Sequence, residues 1–130
     1  LILLGGILSN KKPVIQTGLL TLIFASLVAI IAFQSGENAE EIIEDHFEVS
    51  HKLIHDHEES AEVYILFSHI MGILSLATFI FSLVWERYFK YLCYLIIVIG
   101  AVTHFFAFKT GNSGGMIMHK EHIEWNDNKP

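Results

Sequence analysis

The sequence predicts an all-α integral membrane bundle, and two observations carry this prediction. Of the 130 residues, 52% are hydrophobic, and the mean hydropathy of +0.48 is high for a soluble domain. Three stretches contain no charged residue: 13–36, 63–85 and 91–108. Each is close to the roughly 20 residues that a helix needs to cross a bilayer, and a helix satisfies its own backbone hydrogen bonds in lipid.

The chain is therefore expected to form one membrane domain, a four-helix bundle when complete. The apolar run at its start is too short to span a bilayer, and we expect it to be the end of a first helix whose beginning is absent. The expected segments are the end of that helix at 1–8, a second helix at 14–35, an acidic histidine-rich segment at 37–60, a third helix at 62–85, a fourth helix at 88–108 and a tail at 109–130. The tail includes a glycine-rich turn at 112–115.

The polar island at 37–62 contains ten of the fourteen acidic residues and four of the eight histidines, with Lys52 as its only basic residue. Apolar residues recur in it at helical spacing, which predicts an amphipathic helix at the membrane interface. On the opposite side, basic turns carry Lys11, Lys12, Arg87 and Lys90. By the positive-inside rule these turns are cytoplasmic, so the island and the tail are expected to be periplasmic in a bacterial inner membrane.

Small residues recur on the predicted spans at steps of three and four, which favours close helix packing. On the third helix they are Ser68, Gly72 and Ser75. On the second helix they are Gly18, Thr21, Ala25, Ala29, Ala32 and Gly36.

Composition excludes several functional classes. The net charge of −6 argues against a nucleic-acid partner, and the single cysteine, Cys93, excludes an internal disulfide or a CxxC motif. No nucleophile–base pattern or phosphate loop is present. An electron-transfer or accessory subunit is thus expected rather than a stand-alone enzyme.

Two histidines suggest a cofactor site. His69 and His104 lie at similar depth on antiparallel helices, roughly 7 to 10 Å below the outer surface at 1.5 Å per residue. Such a pair can ligate a haem b or a metal inside a bundle, with Gly72 and Gly100 leaving room for a flat ring and His57 as a substitute ligand. Alternatively, each imidazole only hydrogen-bonds a neighbouring helix.

A second candidate site is a zinc or copper site at the periplasmic end. His51 and His55 are four residues apart and can share one ion on a helix, completed by His57 or Glu58. His119 follows two methionines, which copper(I) accepts as soft ligands. The alternative is a solvated acidic face without a metal.

The segments Ser35-Gly36-Glu37-Asn38-Ala39-Glu40-Glu41 and His57-Glu58-Glu59, with the ending Thr110-Gly111-Asn112-Ser113-Gly114-Gly115 and His119, resemble the bacterial membrane proteins of domain-of-unknown-function family 2231. The resemblance implies a four-helix membrane bundle in a respiratory setting, and it gives weight to His57, Glu58, Gly114 and Gly115.

Two functional hypotheses follow. The first is a bundle that holds a histidine-ligated haem b or metal for respiratory electron transfer. The second is a cofactor-free accessory or assembly subunit, which packs in the bilayer against other membrane subunits. In that case its acidic helix would dock a soluble partner, such as a basic c-type cytochrome.

Overall fold

Four helices account for the fold: α1 (Ile2–Leu8), α2 (Lys12–His46), α3 (His51–Val84) and α4 (Phe89–Asp127). The structure is a computed structural model. It describes the backbone of residues 1–46, 51–85 and 88–127 and the side chains of residues 1–36, 52, 54–85 and 88–116. The predicted all-α bundle is confirmed.

Three of the helices contain stretches that are long and apolar enough to cross a membrane: Lys12–Gly36, Ile54–Val84 and Phe89–Met116. They correspond to the three uncharged stretches of the sequence. The chain is thus a multi-pass membrane protein in contact with lipid.

The helix α3 lies at the centre of the arrangement. It packs against α2 on one flank and against α4 on the other, while α2 and α4 do not approach each other within the described residues. The short helix α1 packs on α2 and also contacts α4. It therefore occupies the space between them, at the end of the bundle that carries Lys11 and Lys12, which we call the basic end.

The apolar core lies towards this basic end, and it joins α1 to the three long helices. Its buried members are Leu3, Ile7, Ile15, Leu19, Met71, Phe89, Cys93 and Ile96. Two polar contacts also join helices near the basic end. The Gln16 side chain donates to Ser82 Oγ at 3.0 Å, and Lys90 donates to Asn10 Oδ1. Asn10 has a φ of 55° in the turn before α2, which asparagine adopts more readily than most residues.

Glycines allow the closest approaches between helices. A Cβ on Gly6 would lie 2.7 Å from the Ile15 nitrogen, and one on Gly18 would lie 2.8 Å from Leu3 Cα, so α1 and α2 touch backbone to backbone. A Cβ on Gly72 would lie 2.6 Å from Ser26 Cβ, which is where α2 and α3 are closest. Small residues drive helix association in lipid in this way.

The helices extend further than the sequence indicated. The polar island lies on the extended ends of α2 and α3, with residues 47–50 outside the described residues, instead of forming a separate helix. The predicted glycine-rich turn at 112–115 is wrong, because α4 continues through it to Asp127. Contacts with α3, described below, outweigh the low helix propensity of glycine there.

Candidate functional site at the acidic end

The imidazole of His57 forms a polar contact between α3 and α4 near the end of the bundle opposite α1. Its Nδ1 lies 3.0 Å from Ser113 Oγ and 3.2 Å from the Thr110 carbonyl oxygen. The Ser113 hydroxyl itself donates to the same carbonyl at 2.9 Å. We call this group, with Gly114, the His57 cluster.

The hydrogen bonds of the His57 cluster determine the tautomer of the ring. A serine hydroxyl has one proton, and Ser113 uses it on the Thr110 carbonyl. Both contacts of Nδ1 therefore need the proton on Nδ1, and the neutral ring has its lone pair on Nε2. No hydrogen bond of Nε2 is formed with the described residues, so this nitrogen can accept a proton donor or bind a metal.

Gly114 makes room for the ring. A Cβ at this position would lie 3.1 Å from His57 Cε1, closer than ordinary van der Waals contact. The Thr110 hydroxyl is also enclosed in this region, and it has no hydrogen-bond partner among the described residues. The His57 ring thus occupies space that a larger residue at position 114 would fill.

The charged side chains of the island that the structure describes point outwards. Those of Asp56, Glu58, Glu59 and Glu62 are all exposed, and together they define what we call the acidic end. His55 is also exposed, and its Nδ1 lies 3.9 Å from Glu58 Oε2.

The structure describes the side chains of only some of the proposed zinc or copper ligands, and these do not converge on one point. His57 is turned towards α4, whereas His55 is turned to solvent. The side chains of His51 and His119 lie outside the described residues. Within the described part of the chain, no group of three or more His, Cys, Asp or Glu side chains is suitable for holding a metal ion.

The rings of Phe67 and Phe106 mark the interface between α3 and α4, where they stack with centroids 5.8 Å apart. His69 and His104 each lie two residues from one of these rings, which is a rotation of about 200° around a helix. Each imidazole is therefore directed away from the stacked ring on its own helix.

The surroundings of the two histidines also differ. His69 is half-buried, and its Nδ1 lies 2.7 Å from the Ile65 carbonyl oxygen of its own helix. His104 is exposed on the surface of its span. The space expected for a flat ring beside Gly72 is filled by Ser26, and Gly100 faces Met71 Sδ, which would lie 3.7 Å from an added Cβ.

The flank of α2 that receives α1 continues beyond it. Ala25, Ala32 and Gly36 follow Gly18 by seven, fourteen and eighteen residues. On an ideal helix they point within about 40° of the direction of Gly18, and all three are exposed. The sequence identified this stripe as a packing face. In the structure only its Gly18 and Ala29 members are buried.

The flank of α4 on the same side has a similar stripe. Seven, eleven and eighteen residues after the buried Cys93 come Gly100, His104 and Gly111, within about 20° of its direction. Gly100 is half-buried, and the other two are exposed. We call the space between the two stripes, which continues the seat of α1, the open groove.

No protein-family model, curated protein or solved structure matches this chain. The resemblance to family 2231 stays a prediction, and function has to be argued from the His57 cluster, the acidic end and the open groove.

Proposed function

We propose that this protein is an accessory subunit of a larger membrane complex, and that the open groove seats a further transmembrane helix, which is supplied by a partner protein or by a continuation of α1 ahead of Leu1. The exposure of His104 within a span carries this proposal. Ionisable side chains inside a membrane almost always face protein or water. A polar group moved into an apolar medium without a hydrogen bond costs about 2 to 7 kcal/mol.

The groove defines the chemistry of its occupant. It continues an established interface, since α1 lies in it at the basic end. Its walls are small residues, which allow a helix backbone to approach closely. His104 is its polar group. The partner helix should therefore carry a hydrogen-bonding side chain, such as serine, threonine, asparagine or a carboxylate, at the depth of His104.

The acidic end provides a second contact surface, for a soluble partner. Four exposed carboxylates lie within the seven residues from Asp56 to Glu62. Surfaces of one sign steer partners of the opposite sign and hold them in a salt-dependent manner. The expected partner is a basic periplasmic protein, of which a small c-type cytochrome is the class that we propose.

Purification of the tagged protein from native membranes in mild detergent tests the groove. The wild type should migrate on native gels in a complex much larger than its 14.7 kDa. His104→Leu and Ala25→Leu should release it from this complex. Val98→Leu is the matched control, because Val98 is 63% exposed and lies six residues, or about 120°, away from His104 around the helix.

A wild type that migrates alone would refute the accessory-subunit proposal and leave the continuation of α1 as the occupant of the groove. A His104→Leu variant that stays in the complex would refute a partner helix as the occupant. A complex containing only this chain would show that the occupant is a second copy. The acidic end is tested separately. Salt should release the soluble partner, and so should the double variant Glu58→Gln with Glu59→Gln, whereas His104→Leu should not.

Ligation of a haem b or a metal by His57 is the second candidate function. The proton on Nδ1 and the lone pair on Nε2 favour this function, because imidazoles that bind a metal through one nitrogen commonly donate the N–H of the other to a carbonyl. Among the described residues, His57 would supply one imidazole ligand to such a group, but they do not assemble the three or four ligands of a zinc site. One-electron transfer is the chemistry that a haem supplies when bound.

Absorption spectra of the purified protein, oxidised and then reduced, test this candidate together with elemental analysis. A Soret band that is lost in His57→Ala and kept in His55→Ala, which alters an exposed histidine, would support it. Fully folded protein without visible absorbance and without bound metal would exclude it.

A further inference from the structure

Two hydroxyl groups in the second half of α3 have no hydrogen-bond partner among the described residues. Ser75 Oγ and Thr78 Oγ1 are enclosed, in residues that are 0% and 1% exposed. The buried core of the bundle is apolar, and it includes Leu19 of α2 and Ile96 of α4. An unsatisfied polar group in such a place is rare in folded proteins.

Other hydroxyls in this protein are satisfied by their own helix. Thr17, Thr21, Ser60 and Thr103 each donate to the carbonyl four residues earlier, at 2.8 to 3.0 Å. Such back-bonding is the usual arrangement for these residues in helices. Ser75 and Thr78 differ, since their enclosed hydroxyls form no hydrogen bond with a carbonyl of their own helix.

The spacing of the two residues suits one small ligand. Residues three apart on a helix have Cβ atoms about 5 to 6 Å apart on the same side. An oxygen placed between them can hydrogen-bond both hydroxyls at about 2.8 Å. Water fits this description, because it can donate to one hydroxyl and accept from the other, and because buried waters characteristically satisfy such groups.

The polar contacts continue from this site towards the basic end. Ser82 is one turn after Thr78 and is 0% exposed. Its hydroxyl donates to the Phe79 carbonyl at 2.6 Å and accepts from the Gln16 side chain at 3.0 Å. Gln16 is half-buried and lies four residues after Lys12. Polar side chains thus lead from the basic end to the centre of the membrane.

We propose that Ser75 and Thr78 form an internal water-binding site in the core of the bundle, which holds an ordered water shared by both hydroxyls. The site is separate from the open groove and from the His57 cluster. It gives the central helix a hydrated position at mid-membrane, where α2 and α4 both pack against it.

Isosteric removal of the hydroxyls tests this site. Thr78→Val and Ser75→Ala should each lower the midpoint of unfolding in SDS. The double variant should lower it no further than the more sensitive single variant, because one shared water is lost in each case. Thr103→Val and Ser60→Ala are matched controls: these residues are 5% and 1% exposed, and their hydroxyls bond only to their own helix.

The sign of the change decides the result. If Thr78→Val and Ser75→Ala raise the midpoint, the hydroxyls are dry and the proposal is wrong. If both equal their controls, the hydroxyls bond to their own helix and the proposal is also wrong. A high-resolution structure of the wild type gives an independent answer, since density for a water between Ser75 Oγ and Thr78 Oγ1 should be present in it.

Discussion

Replacing Gly72 by alanine tests the packing of α2 against α3. The added Cβ would lie 2.6 Å from Ser26 Cβ, whereas carbon atoms in contact prefer separations of about 3.5 to 4.0 Å. Ser26 is only 6% exposed and has little room to retreat. The helices must therefore separate by about 1 Å at their closest point, which disturbs the packing of neighbouring residues.

The expected cost follows from two opposing effects. Overpacking of a well-packed site costs about 1 to 3 kcal/mol, and alanine gains about 1 kcal/mol over glycine in helix propensity. Gly72→Ala should thus lower the free energy of unfolding by about 0 to 2 kcal/mol. At Gly36 an added Cβ meets nothing within 4 Å. Gly36→Ala is therefore the control, and it should stabilise or leave the protein unchanged.

Unfolding in SDS-containing mixed micelles, followed by circular dichroism, measures both variants. A second change makes the test specific: Ser26→Gly removes the atoms that the new Cβ meets, so the cost of Gly72→Ala should be smaller in that background. Equal stabilities of Gly72→Ala and Gly36→Ala would refute the close approach of α2 and α3. So would a cost of Gly72→Ala that Ser26→Gly does not reduce.

Three further predictions concern other contacts. Gly114→Ala should displace the His57 ring, since the new Cβ would lie 3.1 Å from Cε1. It should therefore speed amide hydrogen exchange in 110–116. Gly115→Ala, whose new Cβ meets nothing within 4 Å, should leave this exchange unchanged. Gln16→Leu removes the 3.0 Å bond to Ser82 and should cost about 0.5 to 1.5 kcal/mol in SDS unfolding, while Thr17→Val, at an exposed neighbour, should cost less. Cys93, which is 0% exposed, should resist maleimide in the folded protein and react in SDS; rapid labelling of folded protein would contradict its place in the core.

The sequence was sufficient to predict the spans, because charge-free length alone determines which segments can cross a bilayer. It also identified one packing face correctly, since Ser68, Gly72 and Ser75 are all buried. The stripe on α2 shows the limit of that reasoning. Small residues indicate a surface that a helix can approach, but only the neighbouring helices determine which part of the surface is covered.

The histidines illustrate the same limit at a finer scale. Depth in the membrane can be counted along the sequence, and His69 and His104 were placed by depth. Their direction around the helix depends on which flank meets a neighbour. His69 follows the buried Ser68 and His104 follows the buried Thr103, so a rotation of about 100° separates each from an interior position. The phenylalanines that stack between α3 and α4 were the signal that could have located this interface.

The polar groups of the spans fall into classes according to how they are satisfied. Thr17, Thr21, Ser60 and Thr103 are bonded within their own helix. Gln16 and His57 join two helices.

Among the described residues, the side chains of Ser75 and Thr78 inside the bundle, of Thr110 beside the His57 cluster and of His104 on the surface form no hydrogen bond. A partner helix in the open groove cannot reach hydroxyls that are 0% and 1% exposed, and an internal water cannot satisfy an imidazole on the outer surface. The two proposals are therefore independent. A failure of His104→Leu to release the complex would leave the water site unaffected, and a dry core would leave the groove proposal unaffected.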